Sequence, residues 1–178
     1  RTFLRRMLAY SDSASMDDAA IVAMRRAYYA NIALIDDAVG RVIDALRKRD
    51  ILDDTWIIYT SDHGEMMGEH RMMAKMVFYD PAVKVPLVVR PPKGTVARVV
   101  DEPVQLMDLA ATFREIAGAG EIPDSAASSL VSTIVEDKTP VSPEAIASEN
   151  FGFAMFLTKQ HKLVVYEDDL SPVSLFDM

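Results

Sequence analysis

Thr55–Lys75 reads TWIIYTSDHGEMMGEHRMMAK: a short β-prone run, then Ser-Asp-His-Gly, then a methionine-rich loop ending in a lysine. The run TWIIYT has the β-branched and aromatic content of a buried strand. In open α/β sheets ligands collect at the carboxyl ends of strands, so the positions directly after such a run are where site residues are expected. Asp62 and His63 occupy them. A carboxylate oxygen and a neutral imidazole nitrogen are both competent ligands for a divalent ion, and Gly64 is expected to permit a tight turn beside them. The competing reading makes Asp62 a turn cap and His63 a satisfied, partly buried histidine.

Lys75 shifts that balance. It stands inside the apolar run MMAKMVF, where an unpaired ammonium is costly to bury and calls for an anionic partner. An ammonium so placed acts as a point charge on an oxyanion and neutralises charge on a departing oxygen; the alternative is a surface lysine whose stem lies along apolar neighbours. His70 is a candidate second cation or proton donor. Glu65 and Glu69 are expected to be solvated loop residues, with orientation of a histidine or lysine as the alternative. The methionines at 66, 67, 72, 73 and 76 read as packing, because thioethers suit soft metals and the other groups here are hard or borderline. Asp80 and Lys84, four apart around Pro81, are placed to pair locally, and His161 sits at an expected hairpin turn with no role assigned.

Upstream of this stretch, apolar residues from Met16 to Arg49 recur at helical spacing (Ile21, Met24, Tyr28, Ile32, Ile35, Val39, Val42, Leu46), with Ser15 or Asp17 as cap and RKRD at the cation-favouring end. Downstream, VPLVVR at 85–90 is a second buried-strand candidate stopped by Pro91-Pro92, and Leu106–Ala117 reads as a helix closed by Gly118. Helix, strand, loop and strand in this order indicate an α/β class. Residues 121–143, rich in Ser, Pro and Asp, read as a link with one or two helical turns around Leu130–Val135. AIASEN, FAMFLTK and KLVVYED beyond it form a small antiparallel sheet. The expected division is 1–120 for the α/β part and 121–178 for the link and a small α+β subdomain.

Composition narrows the function classes. The 178 residues are 50% hydrophobic, enough for a substantial core, and carry a formal net charge of −8 with a pI near 4.8. Such a balance argues against binding a nucleic-acid backbone, and an anionic substrate would need a local positive site. With no cysteine there is no disulfide framework, thiolate metal cluster or thiol nucleophile. RTFLRRMLAYSD lacks the apolar core of a signal peptide, and no run approaches the ~20 residues of a membrane span. No compartment or oligomeric state follows from the sequence.

TSDHGEMMGEHRMMAK followed by FYDPAVKVPLVVR resembles the C-terminal half of the sulfatase family, in the alkaline phosphatase superfamily. The likeness extends to YYANIALIDDAVGRVIDAL, to VQLMDLAATFREIAG and to the closing KLVVYEDDLSPVSLFDM. It implies part of an alkaline phosphatase-like α/β sandwich with a small C-terminal antiparallel sheet. It further implies that Asp62 and His63 bind the active-site divalent cation, that Lys75 contacts the sulfate and its leaving oxygen, and that His70 matches a family site position. Calcium is the family's usual ion, and an imidazole ligand admits manganese or zinc. The implied substrate is a small-molecule or saccharide sulfate ester. Many sulfatases have Asn where His63 stands; the Asp-His form is similar to phosphonate monoester and phosphodiester hydrolases, the alternative activity. The family's Cys-x-Pro-x-Arg type motif, source of the formylglycine nucleophile, and its N-terminal paired aspartates are not found here. The chain is therefore expected to be inactive alone, as a fragment of a longer enzyme or as a non-catalytic sulfatase-like module.

Overall fold

The computed structural model describes residues 16–94, 97–120, 123–136, 138–140 and 144–178. The cap candidate Ser15 and the N-terminal RTFLRRMLAYSD lie outside them, as do residues 121, 122, 137 and 141–143 of the expected link. Contacts divide the chain into two units, Arg1–Gly94 and Thr95–Met178.

The first unit begins with α1 (Asp18–Lys48), capped by Asp17, whose carboxylate accepts a hydrogen bond from Ala20 N at 2.7 Å. Arg47 and Lys48 close its last turn, where cations complement the carbonyl end. Its apolar stripe is only partly used: Ile21 is its one buried residue, while Tyr29 and Leu34 are 66% and 64% exposed. After a 3-10 turn at Leu52–Asp54 the chain enters β1 (Ile57–Thr60), then the loop, the single turn α2 (Asp80–Val83) and β2 (Leu87–Arg90). β1 and β2 pair antiparallel, with Ile57 opposite Arg90 and Thr60 opposite Leu87.

Both strands were expected to be buried, and neither fully is. Val88 is 62% exposed, because this two-stranded sheet has no layer over that face among the described residues. Arg90 anchors the sheet by donating to Leu52 O at 2.8 Å and to Asp53 Oδ1 at 2.6 Å. The core of the unit is Met66, Met72, Val77 and Ala82, with Tyr79 packed against them. Met66 and Met72 thus fill the interior as expected, and burying each contributes roughly 2 kcal/mol.

The second unit carries α3 (Met107–Ile116), α4 (Val131–Glu136) and four strands, β3 (Ile146–Asn150), β4 (Phe153–Leu157), β5 (His161–Tyr166) and β6 (Pro172–Asp177), which pair in sequence order as an antiparallel sheet. Gly118, at φ +64°, closes α3, and Ala119 N bonds back to Arg114 O at 2.8 Å. The stretch after α3 is no free tether: buried Asp108 accepts Ser128 N at 2.9 Å, and the buried Thr112 hydroxyl accepts Leu130 N at 2.9 Å. His161 opens β5, directly after the turn in which it was expected. Lys162 is buried, with its ammonium 5.0 Å from the centre of the Phe176 ring. No helix among the described residues is long and apolar enough to cross a membrane.

Candidate active site

β1 ends at Thr60, and Ser61, Asp62 and His63 follow it as expected. Ser61 donates to His63 O at 2.8 Å, and His63 N donates to Asp62 Oδ1 at 2.9 Å. That backbone donor holds the Asp62 carboxyl below its ordinary range, so it is ionised at neutral pH, and its side chain is 83% exposed.

The His63 ring is set by its neighbour. Nδ1 lies 2.8 Å from Gly64 O, and a carbonyl cannot donate, so the ring proton of neutral His63 sits on Nδ1. Nε2 is then an acceptor, 3.4 Å from Asp62 Oδ2. A carboxylate oxygen and an imidazole nitrogen side by side fit two neighbouring positions around a hard or borderline divalent ion. Among the described residues no cluster of three or more potential ligands occurs, so these two are part of a coordination shell at most.

Gly64 is needed for a reason other than the one expected. Its N donates to Ala82 O and Glu65 N to Pro81 O, both at 2.8 Å, which lays the loop directly on α2. A Cβ on Gly64 would fall 1.9 Å from Pro81 O, so close backbone approach, not a left-handed turn, demands glycine.

Beyond Glu65 the loop doubles back. Met66 N bonds to Ala74 O and Gly68 N to Met72 O, both at 2.9 Å. Glu65, expected to be solvated, instead accepts Ala74 N at 2.5 Å. This places the Lys75 backbone one residue from the pairing with Glu65 and Met66, in the same folded loop as Asp62 and His63. Lys75 is half-buried and forms no ion pair or hydrogen bond with the described residues. His70 is exposed, its ring stacked on Tyr79 at 4.3 Å between centroids. Lys84 N closes α2 on Asp80 O at 2.8 Å.

Met67, His70, Arg71 and Ala74 all have positive φ, between 51° and 68°. Each costs about 1 kcal/mol, so the loop persists only where surrounding bonds over-determine it. Several come from α1, a contribution the sequence reading missed. Arg25 donates to Met67 O and to Glu69, each at 2.8 Å; Arg71 pairs with Asp18 at 2.7 Å and donates to Met16 O at 3.1 Å. Glu69 is accordingly tethered to α1 and is not the free loop residue expected. The sequence signal is the spacing of Asp18, Ile21 and Arg25, three and four apart and hence on one helix face.

The family model described as Sulfatase matches residues 6–119, and a second, N-sulphoglucosamine sulphohydrolase, C-terminal, matches 68–178. The chain belongs to the sulfatase family. Among relatives, this sulfatase chain is 35% identical over 159 residues to choline-sulfatase of Rhizobium meliloti (strain 1021), covering 86% of the chain and 31% of that protein. The phosphonate monoester hydrolase of Agrobacterium radiobacter superposes with a TM-score of 0.77 at 28% identity, over 92% of this chain and 36% of that one. An enzyme solved in complex with its substrate D-glucosamine-2-N,6-O-disulfate superposes with a TM-score of 0.72 at 26% identity, over 97% and 38%. The chain thus spans about a third of the length of these proteins. They carry the α/β, alkaline phosphatase-like fold read from the sequence, and the expected small C-terminal antiparallel sheet is present, with β6 as a fourth strand beyond the three runs read from the sequence.

Proposed function

We propose that this chain supplies half of the active site of a longer enzyme that hydrolyses a sulfate ester. What carries the reading is one loop in a sulfatase-family chain, Ser61–Lys75, which bears an ionised Asp62, a His63 whose Nδ1 lies on Gly64 O, and a half-buried Lys75. The residues divide the chemistry between them. Asp62 and His63 would hold a divalent cation, calcium by family habit, with manganese or zinc favoured by the imidazole; when bound, it acts as a Lewis acid on a sulfuryl oxygen. Lys75 binds a substrate oxygen and neutralises charge on the leaving oxygen. His70, its ring held on Tyr79, is the proton donor to that oxygen. The nucleophile, a formylglycine in this family, is provided by residues other than these 178, which contain no Cys-x-Pro-x-Arg type motif in either its cysteine or its serine form. Residues 1–120 belong to the α/β domain of that enzyme and 121–178 to its link and small α+β subdomain.

The substrate is a small-molecule or saccharide sulfate ester, a reading supported by the similarity to a choline-sulfatase and to an enzyme whose substrate is a glucosamine disulfate. A second reading, phosphonate monoester or phosphodiester hydrolysis, is favoured by His63 and by the similarity to a phosphonate monoester hydrolase. Turnover of paired aryl sulfate and aryl phosphodiester substrates by the full-length enzyme decides between them: faster sulfate release is expected, and faster phosphodiester cleavage reverses the assignment. Lys75→Ala is expected to lower turnover by about 10²–10³-fold, the loss typical of removing a charge-stabilising group. Undiminished turnover in that variant would remove Lys75 from the site.

A further inference from the structure

We propose that Arg25 is a positioning residue of this site, setting the 66–75 loop from the first turns of α1 without touching substrate. The inference rests on the functional reading of Asp62, His63 and Lys75 above. The Arg25 guanidinium grips the loop at two points, Nε on Met67 O and Nη2 on Glu69 Oε1, each at 2.8 Å. These points straddle Gly68, at φ +85°, where an added Cβ would meet the Ile21 side chain at 2.8 Å. Ile21 lies one helical turn before Arg25, so a single face of α1 both packs beneath the turn and holds its two sides.

The ion pair alone is a weak device, since its side chains are 38% and 52% exposed. The strength of the arrangement is geometric: the rigid guanidinium fork binds a carbonyl and a carboxylate at once, which the single ammonium of a lysine does not reproduce. Its effect reaches both basic candidates. His70 directly follows Glu69, and the bonds Gly68 N to Met72 O and Met66 N to Ala74 O couple the gripped turn to the loop segment that leads into Lys75. With positive φ at Met67, His70, Arg71 and Ala74, local preference does not hold this path, so losing an external grip lets it relax.

The test uses the full-length enzyme and compares Arg25→Ala, Arg25→Lys and Glu69→Gln with wild type by steady-state kinetics on a sulfate ester and by amide hydrogen exchange. Arg25→Ala is expected to lower kcat about ten- to a hundredfold with KM nearly unchanged, the signature of misplaced groups as opposed to lost binding. Exchange should accelerate at Gly68, Arg71, Met72 and Ala74 while β1 and β2 keep their protection. Arg25→Lys, with the charge but not the fork, should recover only part of kcat, and Glu69→Gln should fall between it and wild type. Wild-type kcat in Arg25→Ala, or exchange that accelerates throughout the unit in proportion to lost activity, overturns the positioning role. Lys75→Ala run alongside separates the two failures: if it stays active, the site assignment falls and the proposal with it. If it is inactive beside a fully active Arg25→Ala, only the positioning role falls.

Discussion

The Ser61–Lys75 loop and the β3–β6 sheet reach order by opposite routes. In the sheet each strand pairs with its neighbour in sequence, so short turns bring partners together and opposed residues such as Met155 and Val164 are buried with little outside help. In the loop, residues with unfavourable dihedrals are held by groups distant in sequence: Arg25 on Met67 and Glu69, Arg71 on Asp18, and Gly64 against Ala82. A sheet of consecutive hairpins states its own structure. A site loop has its structure imposed on it, which is what holding four non-glycine residues at positive φ requires.

The two glycines at the centre of these regions give the largest expected contrast. Gly64→Ala drives a methyl into Pro81 O and should destabilise the first unit by about 3 kcal/mol, as overpacking against backbone does. Gly152→Ala, at φ +81° with open space around its Cβ, should cost only about 1 kcal/mol. Thermal or denaturant unfolding of the two variants measures both, and equal losses would erase the distinction drawn between the regions.

A smaller effect marks the limit of local order in the second unit. Thr112→Val removes the buried hydroxyl that accepts Leu130 N, leaving that amide without its partner at a cost of about 2 kcal/mol. Thr112→Ser keeps the hydroxyl and should retain most of the stability. If Val and Ser prove equally stable, the bond does not organise the 128–130 stretch.

The smallest effect is electrostatic. The Lys159 ammonium, 2.9 Å from Glu102, holds that carboxyl below its ordinary value of 4.5. A depressed folded-state pKa contributes stability that is present above about pH 4.5 and lost as pH falls through the lowered value. Lys159→Ala should raise the Glu102 titration midpoint toward 4.5, read from its side-chain carboxyl carbon by NMR. An unmoved midpoint would show that the exposed pair has no thermodynamic weight.

Much of this was legible in the residues. Helical periodicity gave α1 and α3 to within two residues of their ends, because one period repeated over ten or more positions is hard to mistake. Asp17 as cap, Gly118 as stop and the C-terminal hairpins follow from local chemistry. The burial of β1 and β2 was overestimated, since composition reports what a strand can bury and not what covers it. Glu65 and Glu69 were read as solvated because nothing near them in sequence is their partner; Ala74 is nine residues away and Arg25 forty-four.

By itself, then, the sequence determined the two long helices, β1 to β5 and their order, the family and the residue types placed after β1, all consequences of local pattern and motif spacing. Only the tertiary structure decided which nitrogen of His63 accepts, why Gly64 must lack a side chain, and how α1 holds the loop that carries Lys75. Those are decided by atomic distances, from the 2.8 Å between the His63 ring and the adjacent Gly64 carbonyl to the grip of Arg25 on a residue forty-two positions away, and periodicity carries no information about them.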